Sequence, residues 1–226
     1  MTRLFFALRN DMRSFVIAID GNVESQAAAD RCIKSGKEHG TYIEKFDAVI
    51  PKSDVYKICN ELGITTNRFT DKHSRIENAI GCFLSHYVLW KTSISINEPI
   101  AIFEHDAIIT APLPDTPPKY CGIIGAPSYG RFKTPSYEGW GKLRSHTYFL
   151  GTHAYMVTPE GAESLIAKSN NEACPPDYYL HISRFEWLEE YYPWCAHADD
   201  NFTTIQRAEG CRPKHGYNDE YRFVDV

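Results

Sequence analysis

The chain has 226 residues, a net charge of −5 and 43% hydrophobic residues. That length suits one large α/β domain or two small ones, with a core that stands without disulfides. The acid excess argues against a broad nucleic-acid surface, which needs a basic face. Cysteines at 32, 59, 82, 121, 174, 195 and 211 form no C-x-x-C pair, so they read as reduced, mostly buried thiols, neither a disulfide framework nor a zinc site. No apolar run reaches the roughly 18 residues of a membrane span, and residues 1–9 lack the apolar stretch of a signal peptide. A soluble, cytoplasmic protein is expected.

Phe15 to Ile19 is a short apolar run ending in Asp20-Gly21-Asn22, which predicts a buried strand and then a loop. Ser25 to Lys37 has helical composition, with Ser25 placed to cap it. Tyr42 to Ile50 predicts a second strand stopped by Pro51, and Ser53 to Leu62 a second helix closed by Gly63. Strand–helix–strand–helix favours a parallel sheet with right-handed crossovers. The end of the first strand, at Ile19 and Asp20, is where such sheets bind nucleotides. Residues 64–75 are polar and predict a loop.

From Glu77 to Ile94 the apolar residues Ala79, Ile80, Phe83, Leu84, Tyr87 and Val88 follow the helical period. A turn at Asn97-Glu98-Pro99 leads into the run Ile100–Ile109, read as one strand. The prolines at 112, 114, 117 and 118 mark a loop, and Ile123-Ile124 a short strand. Residues 125–146 show no period, and a loop that long is usually a lid or a binding segment. Thr147 to Val157 returns to strand character. Thr158 and Pro159 open a helix at N-cap and N1, and Pro175-Pro176-Asp177 opens another. The expectation is a single α/β domain over 1–226, a mostly parallel central sheet flanked by helices, with an irregular C-terminal third.

The chemistry concentrates in I-A-I-F-E-H-D-A-I-I, residues 100–109. A buried strand does not carry Glu104 and Asp106 unless a cation meets them. Carboxylate oxygens suit Mg²⁺ or Mn²⁺, and a sugar nucleotide leaves as a diphosphate whose charge needs a Lewis acid. Strict alternation puts both acids on one face, whereas a turn lets them converge on one ion. The bland alternative is a solvated strand end with two surface acids.

Gly81-Cys82-Phe83-Leu84-Ser85-His86-Tyr87-x-x-Trp90-Lys91 precedes that run. Gly151-Thr152-His153-Ala154-Tyr155-Met156-Val157, Gly161-Ala162 and Pro176-Asp177-Tyr178-Tyr179-Leu180 follow it. In this order, over roughly residues 14–206, they resemble glycosyltransferase family 25, which includes lipopolysaccharide β-galactosyltransferases and collagen galactosyltransferases. The family pattern is G-C-x-x-S-H-x-x-x-W-K, then a strand ending E-D-D. The resemblance implies a GT-A fold, with a nucleotide-sugar and metal half over about 14–110 and an acceptor half over about 120–226. It also implies inverting transfer of a hexose, galactose or glucose, from a UDP-sugar to an acceptor hydroxyl, with Mn²⁺ (or Mg²⁺).

Carried onto this chain, Glu104 and Asp106 hold the metal, and Ile19, Asp20, Ser85, His86, Glu104 and Thr152 line the donor pocket. Asp177 is the expected general base, since inversion needs one carboxylate beside the acceptor hydroxyl. Asp199 and Asp200 are its rivals, and His197 a candidate late metal ligand. The bland readings are that Asp177 only caps a helix, that Ser85 and His86 are a satisfied core pair, and that Trp90 is core. His105 stands where the family has its middle acid, as a ligand, a donor to the diphosphate or a tolerated replacement. The family's arginine after the first strand has no match, Arg31 lying farther along the helix. Arg131, Lys133, Lys142 and Arg144 face the diphosphate, an anionic acceptor or only solvent. Two other functions compete: a degenerate domain binding a glycan or nucleotide, or a glycosyltransferase acting on a hydroxylated DNA base. The source would be a bacterium or an infected host cell.

Overall fold

The computed structural model describes residues 12–70, 75–199, 202–206 and 222–226. In chain order the elements are β1 (Arg13–Ala18), α1 (Val23–Glu38), β2 (Glu44–Asp47), α2 (Val55–Glu61), α3 (Ile76–Ile96), β3 (Ile100–Glu104), β4 (Ala107–Ile109), β5 (Cys121–Ile123), β6 (Gly139–Lys142), β7 (Ala154–Val157), α4 (Pro159–Glu172), α5 (Pro176–Tyr179), β8 (Glu189–Tyr192), β9 (Ala196–Ala198), β10 (Phe202–Thr203) and β11 (Arg222–Phe223).

Seven strands form one sheet in the order β2-β1-β3-β7-β5-β8-β6. β1 pairs parallel with β2 and β3, and β5 pairs parallel with β8. β7 runs antiparallel between β3 and β5, and β6 antiparallel along β8. Five of the seven strands therefore point one way, with only β7 and β6 reversed. This is the mostly parallel α/β sheet expected, and it is consistent with a GT-A-like fold.

The core on one face is built on α3. Phe83 meets Trp90 and Tyr179 edge-on at 5.6 and 5.2 Å, and Trp90 stacks on Tyr179 at 5.7 Å. Such aromatic pairs add about 0.5–1.5 kcal/mol each beyond the area they bury. Gly81 is required here: a Cβ at that position would stand 2.5 Å from the Val49 carbonyl oxygen. One turn later, the Ser85 hydroxyl accepts from Val49 N at 2.8 Å and donates to Gly81 O at 2.9 Å. Glycine and serine together let the chain after β2 lie against α3.

Several boundaries differ from the sequence reading, each for a local reason. Asn22, not Ser25, caps α1; its side chain accepts from Ser25 N, and Ser25 is drawn inward instead. The second strand is only four residues long, because the segment after it turns onto α3. Val88 is 37% exposed and breaks the expected stripe, while Ser85 and His86 are fully buried. The run 100–109 is two strands, broken by a turn at His105-Asp106. The long loop contains β6. β7 begins at Ala154, not Thr147, and α5 is a single turn. Thr158 and Pro159 start α4 as expected, with Thr158 Oγ1 accepting from Gly161 N. Cys32, Cys59, Cys82, Cys121, Cys174 and Cys195 are free and mostly buried, and Cys211 lies outside the described residues. Among the described residues no helix is long and apolar enough to cross a membrane.

Candidate active site

Strand register gathers the sequence motifs at one end of the central strands β1, β3 and β7. Ile17 pairs with Glu104, so the loop at Ile19-Asp20 leaves β1 beside the end of β3. Phe103 pairs with Ala154, and Glu104 N donates to His153 O at 3.0 Å. Thr152 thereby lies alongside Glu104. Gly151 adopts φ 94°, which side chains other than hydrogen rarely tolerate, and lets the chain turn into β7. Asp177, in the first turn of α5, completes the group.

At the centre the Thr152 hydroxyl lies 2.5 Å from Glu104 Oε1 and 2.9 Å from Asp177 Oδ1. A hydroxyl holds one hydrogen, so it donates to only one of two carboxylates. The other contact is favourable only if that acid is itself protonated. Burial and the charge of Glu104 raise Asp177 to about 6, with the hydrogen bond from Tyr129 tempering the rise. Burial also pushes Glu104 upward, but the contact with His86 and the hydrogen bond from Thr152 outweigh it and hold that carboxyl well below the usual range. The stored proton therefore belongs to Asp177, which donates to Thr152, which donates to Glu104. Two carboxylates pushed apart in this way mark an acid–base pair.

Both carboxylates are oriented from behind. His86 Nε2 lies 3.1 Å from Glu104 Oε1, and His86 Nδ1 lies 2.8 Å from the Tyr155 hydroxyl. Trp90 Nε1 donates to the same hydroxyl at 2.9 Å. A carboxylate only accepts and an indole only donates. Hence His86 carries its hydrogen on Nε2, and Tyr155 accepts from Trp90 while donating to His86 Nδ1. On the other side, the Tyr129 hydroxyl donates to Asp177 Oδ2 at 2.8 Å. Glu104 Oε2 makes no hydrogen bond among the described residues, and 28% of its side chain is exposed.

The remaining expected residues fall into two groups. Ile19 contributes its backbone: its N–H donates to Ser25 Oγ and its carbonyl accepts from Asn22 N and Gln26 Nε2. Asp20 is exposed in the turn beyond β1. Asp106 O accepts from Asp199 N at 2.8 Å, and the β4–β9 pairing sets Ile108 opposite His197. The Ser85 hydroxyl is hydrogen-bonded to Val49 N and Gly81 O. Asp199 is exposed, 3.7 Å from Arg31 Nη2, and Asp200 lies outside the described residues.

Sequence reasoning passed over four participants. Tyr129 sits in a loop without periodicity, and its signal was only the length of that loop. Tyr155 was on view in the G-T-x-x-Y segment. Arg31 Nε and Nη2 have no hydrogen-bond partner although both atoms are buried, and the guanidinium lies close enough to His105 to lower its pKa. His153 is buried with both ring nitrogens unpartnered, and burial holds it down to about 4.

Oxygen donors dominate the cluster. Beyond burial, the charges of Glu104, Asp177 and Asp106 all raise the Cys82 thiol, so three carboxylates lie near enough to act on it. That concentration of negative oxygen fits a hard divalent cation. Cys82 Sγ, His86 Nε2 and a Glu104 oxygen also lie within 4.8 Å of one another. With the thiol protonated and Nε2 carrying hydrogen, only the Glu104 carboxylate of that trio is a ready metal ligand as it stands.

Comparison with known proteins adds a likeness to one family. Residues 13–115 match the model of glycosyltransferase family 25 (LPS biosynthesis protein). The resemblance read from the sequence holds over that stretch, which carries Ser85, His86, Glu104 and Asp106, and it supports a glycosyltransferase. Thr152, Tyr155 and Asp177 lie beyond the matched residues and join the site through the fold. A search of curated proteins finds no match.

Proposed function

We propose that this chain, similar to glycosyltransferase family 25 over residues 13–115, is an inverting transferase. It moves a hexose, galactose or glucose, from a UDP-sugar to an acceptor hydroxyl, and its residues act as one domain working in the cytoplasm. The family's description suggests a glycan of the lipopolysaccharide type as acceptor. The observation that carries the reading is the Glu104–Thr152–Asp177 bridge, which joins an ionised carboxylate to one that burial and the Glu104 charge raise to about 6. A base works best when its pKa lies near the operating pH.

Above about pH 6 Asp177 is ionised and takes the proton of the acceptor hydroxyl. The acceptor oxygen bonds to the anomeric carbon as the bond from that carbon to the phosphate oxygen breaks, and UDP leaves on the opposite face. Tyr129 and Thr152 hold the base in place, and His86 fixes Glu104. Glu104 Oε2 and Asp106 would hold Mn²⁺ or Mg²⁺, which supplies Lewis-acid neutralisation of the leaving diphosphate. The Ile19-Asp20 loop frames the base and ribose, and Arg31, ion-paired with Asp199 through Nη2, offers its Nε to an anion.

The test is UDP release from a panel of UDP-hexoses with Mn²⁺ present, since transferases leak sugar to water. Glu104→Ala and Asp106→Ala abolish release, while Asp177→Asn keeps UDP-sugar binding and loses turnover. Full activity in both metal-side variants refutes the assignment.

A further inference from the structure

We propose that the groove beside the long loop is an acceptor subsite for an oxyanion-bearing glycan, a sugar chain carrying phosphate or carboxylate. This names the acceptor class of the site described above and rests on that reading.

The groove has a volume of about 710 Å³ and is formed by residues 131–137, 143–147 and Ile182. Its lining includes Arg131, Lys133 and Arg144 and no carboxylate. Glu138, in the same loop, is not part of the lining. In a protein of net charge −5, three cations on one concave surface select an anion.

The groove is built in advance. Glu190 is fully buried beneath it, and its Oε1 accepts from Arg144 N at 2.7 Å, Ser145 N at 3.0 Å and the Tyr137 hydroxyl at 3.1 Å. Lys133 N donates to Ser145 O at 3.0 Å, tying the two arms together. Preorganisation of this kind reduces the ordering cost of binding.

It is also continuous with Asp177. His146 lines the groove and sets its ring against Tyr148 at 4.4 Å. Tyr148 packs on Tyr178 at 5.3 Å and is hydrogen-bonded to Tyr129, which donates to Asp177. Tyr178 is 55% exposed and Phe132 45%, giving sugar rings apolar faces to lie on. The β6 edge stands four strands from β3 in the sheet, about 19 Å at the usual strand spacing. Arg131, Lys133 and Arg144 lie in the segments on either side of β6, and that placement assigns them to the acceptor and not to the diphosphate leaving near Glu104.

The experiment applies the whole protein to an array of neutral, phosphorylated and carboxylate-bearing oligosaccharides, beside an Arg131→Ala/Lys133→Ala/Arg144→Ala variant. The three side chains are exposed, so the variant keeps the fold. Wild type retains anionic glycans only, and whether phosphorylated or carboxylated ones dominate names the oxyanion. The variant binds them about tenfold more weakly or worse, as does wild type when ionic strength rises from about 0.05 to 0.5 M. UDP affinity, measured by titration, stays unchanged in the variant. Retention of neutral glycans or of none, undiminished binding by the variant, loss of its UDP affinity, or preference for single-stranded DNA each overturns the proposal. Asp177→Asn separates the two readings: it keeps array binding and loses transfer. Undiminished transfer by Asp177→Asn sinks the catalytic assignment, whereas the groove stands or falls on the array.

Discussion

Replacing Asp177 by Asn tests the stored proton through stability as well as through catalysis. In the unfolded chain the carboxyl has its ordinary pKa of 3.8, and in the folded protein burial and Glu104 raise it to about 6. Between about pH 4 and 6 the folded state keeps a proton that the unfolded chain has released. Stability from this group is full below pH 4, falls as pH rises, and is lost above the folded pKa. The shift is worth at most about 3 kcal/mol. Asn carries no such titration, so relative to wild type the variant gains up to that amount between pH 4 and pH 8. For a chain of this size that is about 6–12 °C in melting temperature. Thermal and urea unfolding at the two pH values measures it, because perturbations at other groups cancel in the difference. Transfer falls by about 10²–10⁴ in the same variant, the usual contribution of a general base. A wild-type-to-variant difference that is equal at pH 4 and pH 8 refutes the stored proton, whatever happens to turnover.

Tyr129→Phe removes a hydrogen bond that favours the ionised form of Asp177. The acid limb of the kcat/KM profile moves up by about one pH unit, and an unmoved limb excludes Tyr129 as a positioning residue. Thr152→Val keeps the side-chain shape but takes away the one hydroxyl between two carboxylates; urea unfolding registers a loss of about 1–3 kcal/mol. Unchanged stability there would show that the bridge contributes nothing. Tyr155→Phe strands the Trp90 N–H and frees the His86 ring, which lowers stability by about 1–3 kcal/mol and slows transfer. A variant that melts like wild type but transfers slowly would limit Tyr155 to orienting His86.

Much of the site was legible because the motif residues answer to a few contacts. Gly81 and Ser85 both serve the approach of Val49 to α3. His86 and Trp90 both meet the Tyr155 hydroxyl, which belongs to the G-T-x-x-Y segment. Two motifs about seventy residues apart are thus halves of one hydrogen-bonded unit that holds Glu104. The strand order was less legible, since β7 and β6 reverse direction through pairings between residues far apart in the chain. The break after Glu104 was hidden for a different reason. No glycine or proline marks the turn at His105-Asp106, so local sequence leaves a continuous strand and a turn both open.

What makes that turn is tertiary, and it decides what His105 does. Ser25 Oγ accepts from Ile19 N at 2.9 Å and lies 3.0 Å from His105 Nδ1. The pairing that satisfies both directs the serine hydrogen to Nδ1 and leaves the ring hydrogen on Nε2. The ring stacks on Phe202 at 5.0 Å, and burial lowers its pKa to about 4. At neutral pH the residue in the middle-acid position therefore carries no charge. It ties the end of β1, the start of α1 and β10 to the turn, in the manner of a core residue. On the proposed assignment of the cation to Glu104 and Asp106, the site has one acid fewer than the E-D-D pattern. The proposed site then predicts weaker cation affinity than three acids would give, with saturation in Mn²⁺ titrations of UDP binding at a correspondingly higher concentration. His105→Asp should lower that concentration only if the new carboxylate reaches the ion. If instead the turn loses its anchors at Ser25 and Phe202, the substitution destabilises the fold and leaves metal affinity no better, which is the outcome the packing favours.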